Sequence, residues 1–162
     1  MGMYWKHEGV DGDATQKGFQ GFSNVHQFSW EMKRSFAGDQ TGRAHNREGA
    51  QAFVGRVTLT KEVDHASGQI MKTACTEHRG KASEIAFVRT GDPGDPYLKF
   101  TLKNTLLQNL KVMGQGRDAQ RPVEQIVLDF TDVEINAVVL GEDNTSEQPI
   151  TVTYSIGSGT GG

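Results

Sequence analysis

Phe53-Val54-Gly55-Arg56-Val57-Thr58-Leu59-Thr60 places Phe53, Gly55, Val57 and Leu59 on one parity and Val54, Arg56, Thr58 and Thr60 on the other. Successive side chains of an extended chain point to opposite faces, so this spacing predicts a strand with one face buried. The same period recurs on both sides of it. Phe28, Trp30 and Met32 are separated by Ser29 and Glu31; Leu98, Phe100 and Leu102 by Lys99 and Thr101; Ile126, Leu128 and Phe130 by Val127 and Asp129. Ile150, Val152, Tyr154 and Ile156 repeat the pattern again, while Tyr4, Ile85 and Phe87 sit in shorter runs of the same kind.

Turn chemistry separates these runs. Gly91-Asp92-Pro93-Gly94-Asp95-Pro96 cannot continue a central strand, because its two prolines lack the amide donor a ladder needs. It reads as a hairpin loop joining Ile85–Thr90 to Tyr97–Lys103. Gly141–Pro149 is a second polar break. One segment changes period: Ile70, Met71, Ala74 and Cys75 fall at helical spacing, with Ser67 as N-cap and Gly80 as the stop. These four residues form the expected core face of that helix, so Met71→Asp should prevent soluble folding. Frequent strands with one helix predict a mainly β protein, a small antiparallel β-barrel or sandwich capped by the helix and carrying one long extended loop. That loop is Gly38–Gln51, which holds no large apolar residue and cannot pack into a core of its own. Residues 1–156 are expected to form a single domain and residues 157–162 a flexible, glycine-rich tail.

A chain of 162 residues is long enough to bury a self-sufficient core. No run approaches the length of about 18 apolar residues that a membrane span needs. The opening residues lack a basic segment followed by an apolar one, so a cytoplasmic start without a signal peptide is expected. The net charge of −3 gives no general attraction for nucleic acid or anionic lipid.

The motifs that could carry chemistry lose their context on inspection. Gly114-Gln115-Gly116-Arg117-Asp118-Ala119 resembles a dinucleotide fingerprint, but Pro122 and a strand-like run follow where a helix should begin. Asp11-Gly12-Asp13 begins like a calcium loop, yet Phe22 stands where the bidentate glutamate belongs. His7, His26, His45, His65 and His78 show no metal-ligand spacing, and Cys75 is the sole cysteine. Cys75 reads as a small core residue rather than a nucleophile. His78 reads as a cation for the last helical turn. Arg43 and Arg47 could hold a carboxylate or phosphate, but on composition alone an ordinary solvated loop is the better reading. No cofactor, metal or catalytic residue is expected.

The order of these features resembles the hemolysin-coregulated protein family, the inner-tube proteins of type VI secretion systems. Residues 4–13, Tyr4-Trp5-Lys6-His7-Glu8-Gly9-Val10-Asp11-Gly12-Asp13, are similar to that family's first strand and glycine turn. Lys17-Gly18-Phe19-Gln20-Gly21-Phe22 is similar to its next element, with Phe22 where many members carry tryptophan. Phe28-Ser29-Trp30-Glu31-Met32 is similar to its Ser-Trp strand, and a glycine-rich extended loop follows in both. Leu59-Thr60-Lys61-Glu62-Val63-Asp64 and Ile70-Met71-Lys72-Thr73-Ala74-Cys75 are similar to its strand-to-helix junction and helix. Tyr97-Leu98-Lys99-Phe100-Thr101-Leu102-Lys103 and Val127-Leu128-Asp129-Phe130 are similar to its later strands.

The resemblance implies a structural protein, not an enzyme, that forms hexameric rings stacked head to tail. Its implied partners are further copies of itself, a spike protein at the tip, a contractile sheath and effectors carried in the lumen, with no nucleic acid and no membrane insertion. Assembly in the cytoplasm would precede export by the type VI apparatus. Within this reading Asp39, Gln40, Arg43, His45, Asn46, Arg47 and Glu48 form the expected ring-stacking loop. The alternatives are a tail-tube protein of a phage-like contractile particle and a monomeric β-barrel that binds a ligand or chaperones an effector.

Overall fold

The computed structural model describes residues 1–34, 52–89, 96–116, 121–138 and 149–162. The strands are β1 (Gly2–His7), β2 (Ser23–Asn24), β3 (Gln27–Ser29), β4 (Met32–Arg34), β5 (Ala52–Val54) and β6 (Val57–Glu62). After the helix α1 (Ser67–Thr76) come β7 (Lys81–Val88), β8 (Leu98–Met113), β9 (Val123–Asp129), β10 (Asp132–Ala137), β11 (Ile150–Ser155) and β12 (Thr160–Gly161).

All pairings are antiparallel. One layer runs β12-β11-β10-β8-β7-β1-β2 and the other β3-β6-β9-β8. The long strand β8 therefore belongs to both. No pairing among the described residues joins β2 to β3, so the arrangement is a barrel-like sandwich and not a closed barrel. β4 and β5 form a separate two-stranded ribbon.

The change of layer inside β8 has a local cause. Asn104 has φ of 50°, a left-handed conformation that asparagine tolerates better than most residues. Buried positions change parity there: Phe100 and Leu102 precede it, Thr105 and Leu107 follow. Gly80 lies directly against this bend, where a Cβ would overlap the Asn104 backbone. Glycine is required for that close approach and does not stop the helix. The helix ends at Thr76, because Glu77 is already extended (φ −80°, ψ 122°).

Val57, Leu59, Ile126 and Leu128 are fully buried across the β6–β9 pair and meet Trp5, Ile85 and Leu102 of the facing layer. Several sequence expectations need correction. The alternation from Phe53 to Leu59 is broken at Gly55, whose N–H donates to the Glu31 carbonyl at 2.8 Å. Phe53 falls on the outer side (61% exposed), while Val54 packs against the core. Met32 is exposed too, because its ribbon leaves the sandwich.

In α1, Ile70 is buried and Ala74 packs partly against the core. Met71 (42% exposed) and Cys75 lie on the outer side, because only a narrow stripe of this short helix faces the sheets. Ser67 is the first helical residue and the cap position belongs to Ala66. The Ser67 hydroxyl instead accepts from the Asp64 N–H, and the Asp64 carboxylate accepts from the Ala66 N–H. His78 lies beyond the helix rather than in its last turn. Within residues 157–162, expected as a flexible tail, Thr160 and Gly161 pair as β12 with Ser155 and Tyr154 of β11.

Candidate subunit-contact surface

Two charged clusters inside the fold escaped sequence reading. Lys61 of β6 and Glu124 of β9 are fully buried, with Nζ 3.0 Å from Glu124 Oε2 and 2.8 Å from Asp64 Oδ1. The Lys61 ammonium also donates to the Glu62 carbonyl. Lys61 shares the parity of Val57 and Leu59, and Glu124 that of Ile126 and Leu128. That in-parity pairing of opposite charges was the available signal.

The second cluster ties the end of α1 to the sandwich. The fully buried His7 of β1 has Nε2 3.0 Å from Glu77 Oε2, and Lys81 Nζ of β7 lies 2.6 Å from Glu77 Oε1. Burial lowers the His7 pKa more than the Glu77 hydrogen bond and charge raise it, so the ring favours its neutral form. Burial opposes the Glu77 carboxylate, but hydrogen bonds and charge from Lys81 and His7 outweigh it and hold its pKa below the usual range. Nearby, Trp5 Nε1 donates to Ser83 Oγ at 2.8 Å. His7, Trp5, Lys61 and Glu124 are buried and brace secondary structure, while the Lys81 side chain is partly exposed. Among the described residues no group of three or more His, Cys, Asp or Glu could hold a metal ion.

The surface is informative at the β10–β11–β12 end. Ile150 (57% exposed), Val152 (44%) and Ile156 (41%) show their apolar side chains to solvent, with Val152 near Met32 and Ile156 near Phe53 of the β4–β5 ribbon. A groove of about 200 Å³ runs between β11 and the ribbon, lined by Trp30, Met32, Val54, Ile135, Val152 and Tyr154. The Tyr154 hydroxyl donates to the Ala52 carbonyl at 3.3 Å and holds the ribbon against this end. Apolar residues left in water around a groove mark a contact surface. The sequence pattern read them as core because alternation alone does not say which layer covers a strand.

Asp39, Gln40, Arg43, His45, Asn46, Arg47 and Glu48 lie outside the described residues; the chain leaves from β4 and returns through β5. Of the four residues expected to form the helix face, the structure brings Ile70 and Ala74 to the core and leaves Met71 and Cys75 outside.

With this architecture in place, comparison with known proteins decides the family. The family described as "Type VI secretion system effector, Hcp" matches residues 4–136. The chain belongs to the Hcp family. It is a tube or effector protein of type VI secretion, structural and not enzymatic. The fold agrees with solved Hcp-type structures. It is similar to a type six secretion system protein at 18% identity and a TM-score of 0.88, covering 99% of each chain. It is similar to Hcp1 from Salmonella typhimurium at 17% identity and a TM-score of 0.77, covering 99% of this chain and 98% of that one. A type VI secretion system effector from Yersinia pestis matches at 16% identity and a TM-score of 0.72, covering 94% and 98%. No curated protein matches the chain. Among the described residues no helix of this Hcp-family chain is long and apolar enough to cross a membrane.

Proposed function

We propose that this Hcp-family chain forms hexameric rings that stack head to tail as the inner tube of a type VI secretion system. In this reading a spike protein sits at the tip, a contractile sheath surrounds the tube, and effectors travel in the lumen. The observation that carries it is the family match over residues 4–136. Physical support comes from the exposed apolar groove at the β11 end, which suits a heterologous side contact between subunits.

Stacking needs a second pair of surfaces. The polar residues Asp39, Gln40, Arg43, His45, Asn46, Arg47 and Glu48 suit that role, because a segment without large apolar residues is best ordered by a polar neighbour. Each chain carries a net charge of −3, so contacts between rings should weaken or strengthen with salt according to the local sign match.

Light scattering and negative-stain electron microscopy test the reading together. The expected particle is a discrete ring of six times the 17.7 kDa chain mass, and a stable monomer would remove the ring assignment. Deleting residues 39–49 should leave rings and abolish tubes; tubes that persist would remove the stacking role.

A further inference from the structure

β11 is an unusual edge. Its six residues, Ile150-Thr151-Val152-Thr153-Tyr154-Ser155, carry no charge and are rich in β-branched and aromatic side chains. Edge strands of that composition invite pairing with another chain and are normally blunted by lysine, proline or a bulge. β11 has none of these within it. Its inner edge pairs along its whole length with β10. Its outer edge is covered only in part. Tyr154 and Ser155 pair with Gly161 and Thr160, and Thr153 exchanges reciprocal backbone hydrogen bonds with Gly162 at 2.7 and 2.9 Å. Along residues 150–152 no strand among the described residues covers it.

The covering segment is specific in fit and weak in attachment. A Cβ on Gly161 would stand 2.9 Å from both the Thr153 carbonyl oxygen and Tyr154 Cδ2, so the seat is shaped for glycine. The turn is closed by the Gly159 N–H donating to the Ser155 carbonyl at 3.0 Å. Yet residues 157–162 include four glycines, contain no apolar side chain larger than a methyl, and are all exposed. Ordering glycine costs more backbone entropy than any other residue, and little burial offsets it here.

We propose that residues 157–162 are an internal guard strand: they occupy in cis the β11 edge to which a strand of a second copy of this chain pairs on assembly. The occupant is a second copy because the same layer ends at its far side in β2, a two-residue strand. One molecule thus offers a receiving edge and a scarcely covered opposite edge, the arrangement a head-to-tail contact uses. Pairing of this kind draws affinity from main-chain hydrogen bonds and specificity from alternate side chains. The exposed Ile150 and Val152 supply those side chains, and Val152 lines the apolar groove together with Gly161 and Gly162. The proposal rests on the self-assembly reading above and adds a control step to it: the guard keeps newly made chains from joining until a correctly placed edge displaces it.

The test uses three forms of the full chain in a Cys75→Ser background: the intact sequence, a deletion of residues 157–162, and Ser155→Cys/Thr160→Cys. Residues 155 and 160 face each other in register, so oxidation of the last form staples the guard shut. Assembly is followed by sedimentation over a dilution series, with electron microscopy of the particles. A guard seated about nine-tenths of the time lowers apparent affinity about tenfold. The deletion should therefore assemble at about one-tenth the concentration of the intact chain. The oxidised staple should stay monomeric until reductant is added, and its reduced form should match the intact chain. If the intact chain assembles while deletion and staple assemble at the same concentration as it does, the guard role is overturned and the ring reading stands. If all three forms remain monomeric, both fall. Amorphous precipitate from the deletion, in place of discrete particles, would overturn pairing with a second copy in register.

Discussion

Lys61→Met removes the ammonium at the centre of the Lys61–Glu124–Asp64 cluster while keeping most of the buried stem. The Glu124 carboxylate is then left fully enclosed between β6 and β9 with no counter-charge. Asp64 keeps one partner, the Ala66 N–H at 2.9 Å. Breaking a buried pair by removing one member typically costs about 3–5 kcal/mol, because the remaining charge stays desolvated. With a urea m-value of about 2 kcal/mol/M, that moves the unfolding midpoint down by about 2 M. Lys61→Met/Glu124→Leu removes both charges and should recover most of the loss, since apolar replacement of a whole buried pair is often close to neutral. The assay is urea unfolding followed by tryptophan fluorescence, with Trp5 in the core as reporter. Protein concentration must be held constant, because assembly stabilises the folded chain by mass action. A midpoint shift below about 0.3 M for Lys61→Met, at unchanged m-value, would refute the reasoning. It would mean that the site relaxes or admits water as soon as the cation is gone.

Three further outcomes follow from the same geometry. Ile70→Asp should unfold the chain, at a cost of about 3–5 kcal/mol for an unpartnered charge in the core, whereas Met71→Asp should cost about 0.5 kcal/mol; circular-dichroism melts of the two compare them directly. Thermal stability should fall as pH drops below about 6.5, because the unfolded chain binds a proton that folded His7 disfavours, with a slope of at most about 1.4 kcal/mol per pH unit. A second loss should set in as pH falls through the ordinary glutamate range, because the unfolded chain then takes up a proton that folded Glu77, whose pKa is lowered, still refuses. His7→Gln should flatten the first window and shrink the second without removing it, since Lys81 still holds Glu77, and an unchanged profile would count against the assignment. Gly80→Ala should cost about 1–3 kcal/mol, since a Cβ would overlap the Asn104 backbone; a melting temperature equal to that of the parent would show that the β8 bend can shift.

The strand architecture was legible because alternation reports directly on one-sided burial. Leu59, Phe100, Ile126 and Leu128 all occupy the core as their parity requires. What alternation cannot report is where a strand is interrupted. Phe53 and Leu59 share a parity, yet the chain leaves the ladder at Gly55 and Arg56 and resumes in a different pairing. The helix stripe was overread for a related reason: spacing gives a face, but its width depends on how many elements pack against it. Lys61 and Glu124 were missed because charge was taken as a mark of exposure, although each lies in phase with buried neighbours. For the contact surface, composition singled out residues 38–51 but passed over β11, whose uncharged run of Ile150, Thr151 and Val152 looked like any interior strand.

The long strand β8 has a mechanical meaning. Its first half is zipped to β7 and β10, its second half to β9, and no peptide break separates the halves. A push on either sheet is therefore carried to the other through covalent bonds and not only through side-chain packing. Neither layer can peel away without stripping half of β8 from its remaining neighbours, so the sandwich should yield as one cooperative unit. Under the tube function proposed above, such a spine would stiffen each subunit against the thrust, and the Asn104–Gly80 bend is the joint on which that stiffness depends.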